Sequence, residues 1–242
     1  MHNKIYGWKK QKDDARDYKF VHEQTLDSLP KSIDLRPQMP PVYDQGQLGS
    51  CTANSIAALV QKDKNISPSR LFIYYNERAI EGTIKQDAGA NIRDGIKTIN
   101  TLGVCSETTI PYDISKFTKK PSKKAYKEAL QNKDNSYHAV AQTELDIKAA
   151  LVAGLPISFG FEVKQSFESS VVASTGIYQP KANETILGGH AVCIVGYDDD
   201  KQMFIVRNSW GDTWGLQGYF WMPYTEVLNA QVCNDFWVIV SF

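Results

Sequence analysis

The sequence predicts an α+β protein of two lobes. Apolar residues recur at helical spacing through the first half of the chain. The second half is a series of β-branched and aromatic runs set between Gly, Asp and Asn turns. The two kinds of element do not alternate, as they would in a parallel sheet with crossover helices.

Residues 1–28 form a polar N-terminal extension, interrupted by Tyr6, Trp8, Tyr18 and Phe20. A proline-rich stretch follows and is too irregular for a helix or a long strand. At Ser50 the polarity changes. Ala53, Ile56, Ala57 and Val60 fall on one helical face, and Ser50 is a suitable N-cap, so a buried helix is expected over about 51–62. Pro68 opens a second helical stretch that ends at Gly82. A third carries Ile92, Ile96 and Ile99 and stops at Gly103. The lysine-rich segment 113–135 reads as a solvated loop with a short helix. LDIKAALVAG is one more helix, and PISFGFEV, GHAVCIVGYD, MFIVRNSW, GYFWMPY and FWVIVSF are strands. The expected organisation is therefore an extension (1–28), a mainly helical lobe (29–135) and a β-rich lobe (136–242).

The 242 residues suit one large domain or two small ones at roughly 150 residues per domain. With 42% hydrophobic and 22% charged residues, the balance is that of a soluble globular chain and excludes a fibre or a disordered tail. Lys plus Arg and Asp plus Glu each number 27, so the formal charge is zero. Nothing electrostatic points to nucleic acid or a membrane surface as a partner. The apolar stretch 149–161 is broken by Gly154, Pro156 and Gly160, and is shorter than the roughly 18 residues a span needs. The charged N-terminus has no apolar core of a secretory signal, which favours the cytoplasm while leaving the location unknown and export open. Four cysteines without a C-x-x-C pair make neither a disulfide scaffold nor a zinc-finger site.

The chemistry concentrates around Cys51. It falls in the first turn of the expected helix, where the positive end of the helix dipole favours a thiolate. A buried structural cysteine is the ordinary alternative. The residues before it argue otherwise. Gly46 and Gly49 permit close backbone approach, and Gln45 supplies a side-chain N–H that, with the Cys51 N–H, can form an oxyanion hole. His190 follows two glycines at the head of an apolar strand, 139 residues after Cys51, and is a candidate base. Asn208, 157 residues after Cys51, can accept from the imidazole and orient it, with Trp210 shielding that bond.

In that order, GQLGSCTAN, GGHAVCIVGYDDD and RNSWGDTWGLQGYF resemble the papain-like cysteine peptidases, with matching separations. LPKSIDLRP is similar to the start of the family's mature enzyme, and GVCSETTIPYD to an internal segment, so the resemblance spans about 29–242. It implies a papain-like fold: a helical left lobe, an antiparallel β-barrel-like right lobe and a cleft between them. It implies Cys51 as nucleophile, His190 as base and then acid, Asn208 as orienter and Gln45 as oxyanion donor. Trp210 becomes the cover, Trp214 the aromatic on the leaving-group side, and Gly89 in AGAN a backbone that pairs with substrate. Two departures stand out. Leu48 replaces a cysteine that is normally disulfide-bonded, and Thr52 replaces an aromatic. A disulfide-free chain of a bacterial or viral branch is the expectation, with Cys193 and the remaining cysteines structural.

The expected activity is cysteine endopeptidase hydrolysis through a Cys51 thioester, with no metal or organic cofactor. The partner is a peptide or protein substrate and the chain is expected to be a monomer. An amide transferase or deamidase would use the same groups. An inactive binding module would be expected to have lost one of them. Ala191, Ile157 and the Phe236 region are candidate walls of a substrate pocket, which would then be apolar. Residues 1–28 are expected either to pack on the body or to lie across the cleft and inhibit it.

Overall fold

The computed structural model describes residues 4–12, 14–64, 66–133 and 136–240. Three helices, α1 (Cys51–Lys64), α2 (Arg70–Ile80) and α3 (Ile92–Leu102), pack against one another. Their boundaries have local causes. Ser69 Oγ accepts the Phe72 N–H at the head of α2, and the Asn91 side chain accepts the Asp94 N–H at the head of α3. Gly103, at φ 74, ends α3 in the left-handed region that glycine tolerates. Helix α1 is buried on all sides from Cys51 to Val60, as suits a helix enclosed between other helices and a sheet. Ser50 precedes it but does not cap it with its hydroxyl. That group lies 2.5 Å from the Tyr112 hydroxyl and accepts from Asn54 Nδ2, while the Ser50 carbonyl takes the Asn54 N–H. The lysine-rich segment contains the short helix α4 (Lys123–Ala129).

The second half forms an antiparallel sheet. It comprises β2 (Ser136–Ala139), β3 (Ile157–Lys164), β4 (Ile186–Asp198), β5 (Met203–Arg207), β6 (Tyr219–Pro223) and β7 (Cys233–Val240), in spatial order β2-β7-β3-β4-β5-β6. Helix α5 (Glu144–Val152), capped by Thr143, and the short helices α6 (Ser170–Thr175) and α7 (Tyr224–Val227) flank it. Strand β4 is the spine. It pairs with β3 so that Gly160 faces Ala191 and Phe161 faces His190, and it pairs with β5 so that Cys193 faces Arg207. The architecture is mixed α+β, as predicted, but the sheet is open rather than closed into a barrel: it ends at β2 and β6. A seventh strand, β1 (Ser32–Asp34), pairs with the end of β4 from Gly196 to Asp198, so the chain passes through the β layer before it builds the helices. All four cysteines are buried and free. No helix among the described residues is long and apolar enough to cross a membrane.

Ile56 of α1 has no exposed surface and touches the place where a Cβ on Gly95 of α3 would stand. Ile56→Ala is expected to lower unfolding free energy by about 2–5 kcal/mol, the cost of an uncollapsed core cavity. Urea denaturation measures it, and a loss below about 1 kcal/mol would contradict this close-packed junction.

Candidate active site

Cys51 opens α1 and its side chain is completely buried. Backbone N–H groups of Ala191, Gly7 and Thr52 face the thiol and favour its anion, yet burial outweighs them and pushes the thiol up to about 11. His190, in β4, is equally buried. Its Nε2 lies 2.8 Å from Asn208 Oδ1, so the ring donates there when Nε2 carries the proton. Its Nδ1 has no hydrogen-bond partner among the described residues. Burial pulls His190 down to about 4. The Asn208 bond works against this, and the Lys4 ammonium adds to it. Trp210 stacks on the imidazole, with centroids 5.1 Å apart and planes inclined by 26°.

The turn after β5 ties these groups to Gln45. Asn208 Oδ1 also accepts the Ser209 N–H at 2.8 Å. Ser209 Oγ donates to Gln45 Oε1 at 2.7 Å, and the Gln45 N–H donates to the Ser209 carbonyl at 2.9 Å. Gln45 Nε2 is thereby turned toward Leu48 O, at 3.0 Å, and Ile5 O, at 3.3 Å. Arg207 fixes the loop from the other side, donating to the carbonyls of Pro40 and Pro41, each at 2.6 Å.

The three substrate-side candidates have different surroundings. The Ala191 N–H faces the Cys51 thiol. Trp214 packs against Trp210, Phe167 and Phe220, at centroid distances of 5.2, 5.3 and 5.7 Å. Gly89, at φ 65, donates to the Tyr74 hydroxyl rather than pairing with a peptide. The pairing groups belong to the next residue, Ala90, which AGAN brackets but sequence reasoning passed over.

What pairs with Ala90 is the chain's own N-terminal segment. The Ala90 N–H donates to Gly7 O at 2.8 Å, the Lys9 N–H to Ala90 O at 3.0 Å, and Trp8 bridges Ala90 in parallel. On the opposite lobe the Trp8 N–H donates to Gly189 O at 2.9 Å. Residues 5–9 thus cross from one lobe to the other over the thiol. The indole of Trp8 covers Gly160 and Gly189, positions where a Cβ would collide with it. Its Nε1 donates to Asp235 Oδ2 at 3.0 Å. The Gln11 N–H reaches the same oxygen, also at 3.0 Å. Burial pushes Asp235 up to about 6 despite both donors. Of the residues expected to line a substrate pocket, Ala191 pairs with Gly160 beside the indole, Ile157 lies three residues along β3 and pairs with Ile194, and Phe236 stacks on Phe159 next to Asp235. Tyr6 presents an edge to His190 and donates to Glu168, and Lys4 sits over Trp210.

Comparison with known proteins shows the family. The family model described as papain family cysteine protease matches residues 29–236. The chain belongs to the papain family of cysteine proteases. An uncharacterised peptidase C1-like protein of Acanthamoeba polyphaga mimivirus is 45% identical, over 97% of this chain and 86% of that one. Cysteine proteinase 1 of Entamoeba histolytica is 30% identical, over 96% of this chain and 73% of that protein. Among solved structures, xylellain, a cysteine protease from Xylella fastidiosa, superposes with a TM-score of 0.91 at 42% identity, covering 100% of this chain and 99% of that one. Procathepsin B S9 from Trypanosoma congolense shares the fold, with a TM-score of 0.77 at 18% identity, over 98% of this chain and 86% of that one. As a papain-family cysteine protease, the chain is a hydrolase.

With Cys51 at about 11, two units above the ordinary thiol value, thiolate at pH 7 is reduced about a hundredfold. Iodoacetamide is expected to alkylate Cys51 of the full chain at pH 7 at least about a hundred times more slowly than a free cysteine peptide, as read by peptide mass. Equal rates would contradict the closed, desolvated thiol.

Proposed function

We propose that this protease hydrolyses peptide bonds with Cys51 as nucleophile, His190 as acid and base, Asn208 as orienter and Gln45 as oxyanion donor, and that residues 4–12 hold it inactive. The observation that carries the first part is the His190–Asn208 bond under Trp210, on the strand whose next residue, Ala191, turns its N–H to the Cys51 sulfur. Cys51 Sγ, as thiolate, attacks the scissile carbonyl carbon. The developing oxyanion is taken by Gln45 Nε2 and the Cys51 N–H. The imidazolium of His190 protonates the leaving nitrogen, the C–N bond breaks, and a thioester remains. Water then gives a proton to the imidazole and its oxygen to the acyl carbon, the C–S bond breaks, and the acid is released with the thiolate and imidazolium restored. Asn208 keeps the Nε2–H directed to itself so that Nδ1 serves the reaction.

The second part rests on which atoms the segment offers. A nucleophile needs a carbonyl carbon, but the group of residue 7 that faces the sulfur is an N–H. Gln45 Nε2 is occupied by Leu48 O and Ile5 O. The segment thus takes up both the sulfur, through the Gly7 N–H, and the oxyanion donor, through the Ile5 carbonyl. Gly7 is the narrow point: a Cβ there would lie 1.8 Å from Gly49 O. Gly7→Ala is expected to raise peptidase activity of the full chain tenfold or more, while Cys51→Ala abolishes it, with hydrolysis of a fluorogenic peptide library as the readout. Unchanged activity in Gly7→Ala would remove the inhibitory role. Ammonia release from a glutamine peptide without chain cleavage would assign deamidation instead of proteolysis.

Acidity acts on closure through two groups of opposite sign. His190 is held at about 4 in the closed chain against an ordinary 6.5, so falling pH between those values favours the open form. Asp235 is raised from 3.8 to about 6, so falling pH between those values favours the closed form. Above the Asp235 value only His190 responds. The activity of the full chain relative to Gly7→Ala is expected to climb from pH 7 to about 6 and then level off. Asp235→Asn is expected to extend the climb toward pH 5. A ratio independent of pH in both chains would contradict this balance.

A further inference from the structure

Glu77 of α2 has no exposed surface and is joined to the residue that follows the nucleophile. Thr52 Oγ1 donates to Glu77 Oε1 at 2.6 Å. The other oxygen, Oε2, has no partner among the described residues. It rests against Gly95 of α3, where a Cβ would stand 2.6 Å from it and 2.3 Å from Ile56 Cδ1. The carboxyl group is wedged where α1, α2 and α3 meet, and the missing side chain at Gly95 makes the room.

The groups with charge or titration that face it are few. They are the Cys51 thiol from α1, Tyr74 and Arg78 from its own helix, Glu81 just past that helix, and Asp94 from α3. The one cation, Arg78, donates instead to the carbonyls of Tyr74, Ile84, Gln86 and Phe117. An anion in this place would have a single hydroxyl donor and two acidic neighbours. A group so placed keeps its proton rather than bury an unpaired charge. Burial and the two acids accordingly raise Glu77 well above the usual carboxylate range. Its charge, if present, would also oppose ionisation of Cys51.

We infer that Glu77 is a positioning residue for Cys51: a neutral acid that fixes the first turn of α1 through Thr52 without setting a negative charge beside the thiolate. The inference rests on the proposed role of Cys51. It assigns a use to Thr52, which stands where the family usually has an aromatic.

The test compares Glu77→Gln, Glu77→Leu and Thr52→Val in the full chain carrying Gly7→Ala. One readout is the pH midpoint of Cys51 alkylation by iodoacetamide, followed by peptide mass, and the other is kcat and KM on a peptide substrate. Glu77→Gln keeps an acceptor for Thr52 and has no charge. It is expected to leave the midpoint within about 0.3 pH unit and kcat within about twofold. Glu77→Leu removes the acceptor and is expected to lower kcat about tenfold with KM within about twofold. Thr52→Val is expected to give the same loss, with no further loss when combined with Glu77→Leu, and serves in its place should Glu77→Leu not fold. A midpoint in Glu77→Gln lower by a pH unit or more would show an ionised Glu77 and overturn the inference. So would a Glu77→Gln loss as large as that of Glu77→Leu, or full kcat in Thr52→Val. If no variant cleaves peptide, the proteolytic reading fails, and the alkylation midpoints still decide whether Glu77 is neutral.

Discussion

The geometry of the site depends on how α1 is registered against β4, and one hydroxyl sets that register. Ser55 lies one helical turn after Cys51 and faces the sheet. Its Oγ is 2.7 Å from Ser158 Oγ of β3, 3.0 Å from Val192 O and 3.0 Å from Cys193 Sγ of β4. Cys193 Sγ returns a contact to Ser55 O at 3.3 Å. Val192 is two residues past His190, so the same contact that locks the helix to the strand fixes the sulfur relative to the imidazole. Sliding the strand by one residue would turn His190 to the other face of the sheet. Cys193 thus has a structural use that suits its burial.

The N-terminal segment exploits the same two lobes by joining their backbones. It hydrogen-bonds to Ala90 on the helical side and to Gly189 on the β side, and it inserts Trp8 where two glycines leave the sheet bare. Further along, Arg93 pairs with Asp17 and donates to Lys12 O, and residues 18 and 20 bond to both backbone groups of Ala139. These outer contacts lie away from the thiol. In the proposed inhibition they would keep residues 4–12 near the cleft when Gly7 leaves it, so that reclosure would be intramolecular, at a high effective concentration. The stretch is held by three backbone–backbone hydrogen bonds, by side-chain bonds of Tyr6, Trp8 and Lys9, and by the buried indole of Trp8, each hydrogen bond being of modest net worth.

The sequence exposed what repeats or carries chemistry. The periodicities that place α1, α2, α3 and α5 are long enough to be unambiguous, and the strand runs from β3 to β7 are continuous and β-branched. Strands β1 and β2 were not legible because Ser32–Asp34 and Ser136–Ala139 are short and partly polar and take their conformation from the edges they join. Sheet closure was not legible either, because it depends on which edges meet. At the site, Cys51, Gln45, His190 and Asn208 stand out through their neighbours. Ala90, Gly160, Gly189 and Asp235 do not, because two small backbones, a missing Cβ and a carboxylate acquire meaning only when Trp8 is seen lying on them. Glu77 is hidden for a similar reason: its spacing within α2 is ordinary, and it is unusual only because the neighbouring cation, Arg78, gives its hydrogen bonds to backbone carbonyls instead.

Desolvation is the common thread among the titrating groups here. It raises Cys51, Asp235 and Glu77 and lowers His190, and in each case it is the largest cause. The closed molecule therefore favours a neutral thiol and a neutral ring, whereas the proposed chemistry needs a thiolate and an imidazolium. A thiolate and an imidazolium side by side would stabilise one another, but water and oriented dipoles must first replace the solvation each ion gives up. Tyr6, Gly7 and Trp8 occupy the space that this water would take, and Lys4 adds a positive charge that opposes protonation of the ring. In the proposed inhibition the segment would act in two ways at once: it would exclude the substrate, and it would hold the reacting pair in the uncharged state. Glu77 is the exception that clarifies the rest. It stays dry whether or not the cleft opens, because it is enclosed by three helices rather than by the segment. Its neutrality is built into the fold, whereas in the proposed inhibition that of Cys51 and His190 would end once Gly7 leaves.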